Sequence, residues 1–430
     1  MRIAIVGPAF PYKGGGAHHT TELAHRLAGA GHSVTLESWR AQYPSFLYPG
    51  QQVIDEPEGR PFPATRRGLS WRRPDGWLRL GRRLGARSAD DPGEAAPFDL
   101  VILVVLSPVQ VPAYLGILTG LRRRFRRAEP PHPTTPTDDE RQLADAVRGP
   151  RVVVLCHNVL PHERVFYDEP LMKTLLRRID GVLVHSEQQA ALAGTLTTRP
   201  AQVAELPAHF PTGPDAAPRS PTEPPTEPAT ESATAESIGE RSPGEGPGEG
   251  PGEGEDAEVR HRLLFFGIIR PYKGLDVLLR ALAVGAPGVA LTVAGEFWGG
   301  LEETRALITE LGLTERVDLR PGYVPAAEVP GLFAAADALV LPYRSATASQ
   351  NVWMAYEHGV PVIATRVGSF PGQIHDGQDG LLCEPDDVAS LTEALQRFYA
   401  PGEPQRLRAG VGPVDREPLW TAYLKALLAT

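Results

Sequence analysis

Only four lysines occur among the 430 residues, against 39 arginines, and two of the four, Lys13 and Lys273, lie beside glycine turns. The first turn is Gly7-Pro8-Ala9-Phe10-Pro11-Tyr12-Lys13-Gly14-Gly15-Gly16. Glycines let backbone amides approach a ligand, and a helix start adds partial positive charge, so an anion fits there. Its spacing matches neither the dinucleotide fingerprint nor a Walker loop, and taken alone it is equally a plain turn. The second turn is Phe266-Gly267-Ile268-Ile269-Arg270-Pro271-Tyr272-Lys273-Gly274-Leu275-Asp276, between an apolar run and a helical one. Arg270 offers forked donors and Lys273 a point charge, which together suit a diphosphate. A solvated basic turn is the alternative.

A third stretch runs from Pro342 to Thr365. A strand ends at Pro342, a polar loop follows, and Ser349 or Asn351 caps a short helix stopped by Gly359. At about 1.5 Å rise per residue, Glu357 falls roughly 9–12 Å from the helix start, comparable to the reach from a sugar across a diphosphate to a ribose. The plainer reading has Glu357 facing solvent. A fourth stretch, Cys156-His157-Asn158-Val159-Leu160-Pro161-His162-Glu163, follows an apolar strand. A positioned histidine can orient a substrate or assist proton transfer, and it can equally be a structural residue. Zinc held by Cys156, His157 and His162 is the rival, although Pro161 prevents helical presentation and a fourth ligand is missing.

These residues need elements to position them. Continuous apolar runs at residues 2–6, 33–39, 100–106 and 152–156 read as buried strands, with a helix at 17–30 carrying Leu23 and Leu27 on one face. From Leu263 onward the same grammar repeats, with strands at 263–266, 290–294, 317–319, 338–341 and 361–364 and helices at 275–283, 302–311 and 351–358. Undivided apolar strands alternating with helices signal parallel sheets covered on both faces, and ligands then sit at the strands' carboxyl ends. The run Leu100–Leu121 is interrupted by Pro108, Gln110 and Pro112, so it reads as a strand, a turn and a helix, not as a membrane span.

Charge divides the chain. Residues 213–258 hold twelve acidic and two basic side chains, a net of −10, so the remainder of a chain with formal charge −9 sums to +1. That segment repeats Pro-Gly-Glu-Gly and has almost nothing apolar to bury, so it is expected to be a disordered linker. Cys156 and Cys383 have no framework spacing and are expected to be free, buried thiols of a reducing compartment. The apolar part of the N-terminus is too short for a signal peptide, which points to the cytoplasm. Arg66, Arg67, Arg72, Arg73, Arg79, Arg82, Arg83 and Arg87 surround Trp71, Trp77, Leu78 and Leu80. Basic residues interleaved with Trp and Leu suit an anionic membrane surface, and a solvated arginine-rich loop is the alternative. Nucleic acid is a weaker reading because no recognition motif accompanies the charge.

The three glycine and polar stretches in this order resemble the family 4 glycosyltransferases. So do Arg320-Pro321-Gly322-Tyr323-Val324 before a helix and Ala336-Asp337 before the Val340-Leu341-Pro342 strand. The likeness covers most of the chain outside the linker and is most specific from Phe266 to Asp386. It implies an α/β protein of GT-B fold, with two doubly wound Rossmann-like domains facing each other across a cleft. Residues 1–212 would be the acceptor side, 213–258 the linker and 259–415 the nucleotide-sugar domain, with a helix in 416–430 packing back across the domains. It further implies a retaining transfer of a hexose from a nucleotide-diphosphate sugar to the hydroxyl of a glycan, glycolipid or small molecule, with no cofactor and no metal. Gly15 and Gly16 would face the donor diphosphate, Arg270 and Lys273 would neutralise it, and the backbone near Tyr323 and Val324 would hold the base. Glu357 would accept the ribose hydroxyls, Ser349, Gln350 and Asn351 would form the sugar–phosphate loop, and His157 would be the catalytic-cleft histidine. The partners expected are thus the donor, the acceptor and an anionic membrane surface at the inner face of the plasma membrane, with no nucleic acid. Three positions depart from the family: Ser349 stands where it usually has Glu, Gln350 where it has Gly, and Ile268 where an Arg is common. A sugar-nucleotide epimerase on the same architecture, or a catalytically weak scaffold or binding protein, are the alternatives.

Overall fold

The computed structural model describes residues 1–44, 50–85, 98–125, 149–209 and 261–430. The acidic segment 213–258 and Arg87 lie outside the described residues.

The undivided apolar runs become strands with both faces covered. β1 (Arg2–Val6), β2 (Ser33–Ala41), β3 (Thr65–Ser70), β4 (Leu100–Val105), β5 (Arg151–Cys156), β6 (Gly181–Val184) and β7 (Ala201–Val203) form one sheet in the order β3-β2-β1-β4-β5-β6-β7. β8 (Arg262–Phe266), β9 (Ala290–Gly295), β10 (Val317–Pro321), β11 (Ala338–Leu341), β12 (Val362–Thr365) and β13 (Gly380–Cys383) form a second, ordered β10-β9-β8-β11-β12-β13. Every pairing in both sheets is parallel. In each sheet the winding reverses beside its first strand, between β1 and β4 and between β8 and β11. The loops leaving the carboxyl ends of those strands therefore diverge and open a crevice. Two Rossmann-like α/β units result, as the sequence pattern implied.

Each sheet is packed on both faces. Beneath β1 and β4, the helix Gly15–Gly29 buries Leu23, Ala24 and Leu27 against Ile3, Ile5 and Leu100. Trp420, Tyr423 and Leu427, from the helix Arg416–Ala429, join the same cluster. The last helix of the chain is thus built into the core of its first sheet. The opposite face takes Tyr114, Ile117 and Leu118 from the helix Val111–Phe125.

The arginine-rich stretch is no loop. It forms β3 and the helix Pro74–Leu84, which crosses the helix Val111–Phe125 at two glycines. A Cβ at Gly81 would lie 2.0 Å from the Ile117 carbonyl oxygen, and one at Gly120 would lie 2.3 Å from that of Leu78. Leu80 and Leu84 are buried, and Trp77 packs on the core while donating its indole N–H to the Ser70 carbonyl at 2.9 Å. Arg66, Arg67, Arg72, Arg73, Arg79, Arg82 and Arg83 point outward. Arg66 and Arg83 close on Glu37, whose burial raises its carboxyl above the usual range. Trp77, Leu80 and Leu84 face the core while Trp71 and Leu78 are half-buried, so what this surface presents outward is mainly charge.

The apolar stretch from Leu100 divides into β4, a turn at Pro108–Gln110 and the helix Val111–Phe125. Gln110 Oε1 accepts the backbone N–H groups of Leu106 and Ser107 at 2.8 and 3.1 Å and so secures the turn. Among the described residues no helix is long and apolar enough to cross a membrane. Cys156 and Cys383 are free and buried, and burial pushes each thiol up to about 12.

Candidate donor site between two sheets

β8 ends at Phe266 and the chain turns at Gly267, which adopts φ +102°, a value that favours glycine. A Cβ there would lie 3.5 Å from Asn351 Nδ2 and 3.7 Å from Lys273 Nζ, so the turn, the lysine and the start of the third-stretch helix share one spot. Asn351 Nδ2 donates to the Phe266 carbonyl at 3.0 Å. Gly274, at φ +68°, starts the helix Leu275–Gly285, and a Cβ on it would lie 2.1 Å from the Pro342 carbonyl oxygen. The turn therefore rests on the end of β11. Lys273 is buried, and burial, reinforced by Arg270, draws its ammonium below the ordinary lysine value. Its Nζ stands 5.2 Å from the Tyr343 ring centroid.

Ser349 caps the helix Gln350–Glu357, its hydroxyl accepting the Asn351 backbone N–H at 3.3 Å. Gln350 reaches the other sheet, where its Oε1 accepts the His209 backbone N–H at 3.1 Å. Its Nε2 is buried with no hydrogen-bond partner. Glu357, at the far end of the helix, is exposed and paired with Arg416 at 2.8 Å. Tyr323 and Val324 follow β10. The Tyr323 ring carries Lys13 Nζ at 4.0 Å from its centroid, its hydroxyl is buried without a partner, and Val324 packs against the second sheet's core.

From the first sheet, the helix Gly15–Gly29 begins behind Gly14, at φ +87°. A Cβ on Gly16 would lie 2.6 Å from Leu106 Cδ1, and one on Gly15 would lie 3.7 Å from His209 Nε2. Lys13 forms an ion pair with Glu296 at 2.7 Å, with both side chains almost wholly buried. The loop after β5 lies along the Arg270–Lys273 turn. Glu163 pairs with Arg270, the His162 ring stacks on Tyr272 at 4.5 Å, and His162 Nδ1 meets the Ser345 hydroxyl at 3.0 Å. Thr347 donates its hydroxyl to Asn158 Oδ1 at 2.5 Å. Arg270 also lies over the Trp298 ring, 5.3 Å from its centroid.

His157 belongs to a buried quartet. His19 stands 4.9 Å from both His157 and His209 and 6.2 Å from His185, and His157 stands 5.1 Å from His185, measured between ring centroids. Trp420 stacks on His19 at 5.7 Å and Tyr423 on His185 at 5.8 Å. Both ring nitrogens of His19, and Nε2 of His157 and of His185, have no hydrogen-bond partner. Burial holds all four rings neutral: His19 and His157 fall well below the usual value, His185 falls to about 4 and His209 to about 3. Sequence reading found only His157, because the other three lie on separate elements and no spacing links them. Cys156 donates its thiol to the Asn158 carbonyl at 3.1 Å and His162 turns to Ser345, so two of the three candidate zinc ligands are engaged elsewhere. Among the described residues no group of three or more His, Cys, Asp or Glu side chains is arranged to hold a metal ion.

The structure thus gathers Gly267, Lys273 and Asn351 at one place, with Arg270 on the same turn, and joins Gly15 and Gln350 through His209 beside it, with His157 linked to His209 by way of His19. Glu357 stands one helix length away. Arg270, Lys273 and the amino ends of the helices Leu275–Gly285 and Gln350–Glu357 lie beyond the carboxyl ends of β8 and β11, a setting that suits an extended anion.

Comparison with known proteins agrees. The signature described as "Glycosyl transferases group 1" matches residues 260–400. A D-inositol 3-phosphate glycosyltransferase of Segniliparus rotundus is 35% identical over 179 residues, covering 39% of this chain and 38% of that protein. A GDP-mannose-dependent alpha-(1-6)-phosphatidylinositol monomannoside mannosyltransferase of Mycolicibacterium smegmatis is 34% identical over 151 residues, 32% of this chain and 38% of that protein. The chain therefore spans well under half the length of these curated relatives. Among solved structures, HepE of Anabaena, in complex with UDP and glucose, superposes with TM-score 0.61 at 13% identity over the whole of both chains. Sucrose-phosphate synthase from Thermosynechococcus elongatus gives TM-score 0.60 at 16% identity, covering 100% of this chain and 97% of that one. The chain carries the GT-B fold of these glycosyltransferases, and its second unit matches the glycosyl transferases group 1 model over residues 260–400, in keeping with the family 4 resemblance of its motifs.

Proposed function

We propose that the protein transfers a hexose from a nucleotide-diphosphate sugar to a hydroxyl acceptor with retention of configuration. The observation that carries this reading is the convergence of Gly267, Lys273 and Asn351 under the β8 turn, with Arg270 at its rim. The naming of its relatives as glycosyltransferases, and the UDP and glucose bound by HepE, support it.

In this reading Arg270 and Lys273 take up the charge of the departing diphosphate, which is the largest electrostatic change of such a reaction. The amides at Gly15 and Gly16 approach the same diphosphate, Tyr323 and Val324 flank the base, and Glu357 accepts the ribose hydroxyls. Ser349, Gln350 and Asn351 line the path between phosphate and sugar. His157, kept neutral, presents Nε2 as a donor or acceptor to the sugar or acceptor hydroxyl. Rate enhancement then comes from positioning and leaving-group stabilisation. The exposed arginines of residues 66–83 support a finer proposal, contact with an anionic membrane by charge alone. Sedimentation with phosphatidylserine vesicles at low salt, absent at high salt, is its test.

The decisive experiment for transfer screens UDP-, GDP- and ADP-linked hexoses with hydroxyl acceptors, following nucleotide release and the anomeric configuration of the product. Failure of every donor to bind the wild-type chain, or an inverted product, overturns the proposal.

A further inference from the structure

Arg344, in the polar loop after β11, touches none of the groups assigned to the donor. It holds the elements that carry them. Its backbone N–H donates to the Tyr272 carbonyl at 2.7 Å, and its Nη1 donates to the Pro271 carbonyl at 2.8 Å. Nη1 and Nη2 also grip the Asp276 carboxylate at 2.9 and 2.7 Å, and Nε donates to Asp386 Oδ1 at 2.8 Å. One guanidinium therefore joins the Pro271–Lys273 turn, the first turn of the helix Leu275–Gly285 and the Asp386 loop. Asp386 is itself held at φ +58°, a conformation uncommon for a residue with a side chain.

Packing against Pro342, His162 and Tyr343 seats the turn, but few hydrogen bonds fix its backbone. Its own backbone bonds are Lys273 N to the Arg270 carbonyl at 3.0 Å and Gly274 N to the Pro271 carbonyl at 3.2 Å. Its two outward carbonyls, Pro271 and Tyr272, both end on Arg344. The Asp276 carboxylate is drawn below its ordinary value first by its hydrogen bonds from Arg344, which marks the pair as engaged.

We infer that Arg344 is a positioning residue for the donor diphosphate, acting through Lys273 by fixing the Pro271–Lys273 turn against the loop that leads to Asn351. This rests on the donor site proposed above. Four guanidinium donor contacts from two directions need a planar fork, so a lysine, with one compact ammonium, cannot replace it. The dependence on shape is the signature sought.

The test is calorimetry of UDP, GDP and their monophosphates on wild type, Arg344→Ala, Arg344→Lys, Lys273→Met and the double variant Arg344→Ala/Lys273→Met. The expected result is about a ten- to hundredfold loss of diphosphate affinity in both Arg344 variants, with monophosphate affinity nearly unchanged. The double variant should bind no worse than Lys273→Met alone, because both changes remove the same interaction. Asp276→Asn, which keeps the shape and removes the charge, should give the same pattern at smaller size, and it serves if Arg344→Ala does not fold. Unchanged diphosphate binding, equal loss for mono- and diphosphates, or additive losses in the double variant overturn the inference. If wild type binds neither diphosphate, the donor site itself is wrong and the inference falls with it.

Discussion

Glu163 of the first unit is ion-paired to Arg270 of the second, so the guanidinium assigned to the donor diphosphate is already engaged by a carboxylate. A bound diphosphate must either displace Glu163 or share Arg270 with it. Both side chains are about a third exposed or more, so the pair itself is worth no more than about 1 kcal/mol. Glu163→Gln should therefore tighten nucleoside-diphosphate binding by roughly two- to fivefold, and the gain should shrink with added salt. Weaker binding in this variant, read by titration calorimetry, would mean that Glu163 helps to place the donor.

Lys273→Met keeps the length and apolar volume of the side chain and removes its charge. It should lower diphosphate affinity by roughly ten- to a hundredfold, the worth of one charged hydrogen bond. The melting temperature should hold or rise, since the change relieves a buried ammonium. Diphosphate affinity equal to wild type would remove Lys273 from the site.

Glu357 offers a different discrimination. A carboxylate accepts two hydroxyl bonds, whereas an amide presents one oxygen and one N–H, so Glu357→Gln should cost donor affinity on the order of ten- to a hundredfold. A donor lacking both ribose hydroxyls should bind wild type poorly and be nearly indifferent to the substitution. Simple additivity of the two losses in calorimetry would show that Glu357 does not touch the ribose. Its carboxylate pairs with Arg416, on the helix built into the first core.

The histidine quartet predicts an acid limit. Each ring has a folded-state value below its unfolded value of about 6.5, so the unfolded chain binds protons first. The stabilisation is complete above about pH 6.5 and is lost as pH falls towards about 4 for His185 and about 3 for His209. Each ring contributes a slope of about 1.4 kcal/mol per pH unit in that window. Urea titrations at pH 7, 6 and 5 should show the decline, and His185→Gln should flatten it. A decline just as steep in that variant would assign the acid sensitivity to other groups.

Much of this was legible beforehand because parallel strands buried on both faces write themselves as continuous apolar runs. β1, β4, β5 and β8 to β12 were found from sequence within a residue or two at each end. What stayed hidden was hidden for stated reasons. β3 and the helix Pro74–Leu84 are mostly arginine on their outer surface, so composition spoke for a membrane-facing patch or a solvated loop, while the glycines that let two helices touch at Gly81 and Gly120 carry no periodic signal. The Ser349 cap, the Lys273 turn and Glu357 were visible because local spacing defines them. Glu163 on Arg270, Glu296 on Lys13 and the rings around His157 pair residues more than 100 positions apart or on different elements, which only the fold can bring together.

The last helix has a consequence for how the chain is made. Trp420, Tyr423 and Leu427 fill the face of the first sheet beside His19, Arg151 donates to the Leu428 carbonyl at 2.5 Å, and a Cβ on Gly181 would lie 2.4 Å from the Thr430 carbonyl oxygen. During translation the first sheet's strands leave the ribosome long before these residues exist. The second unit takes nothing from this helix into its own core. Until residues 420–427 have left the ribosome, the nascent first unit keeps an apolar trough open along β1 and β4. A purified chain truncated after residue 415 should therefore show a protease-resistant second unit beside a protease-sensitive first one.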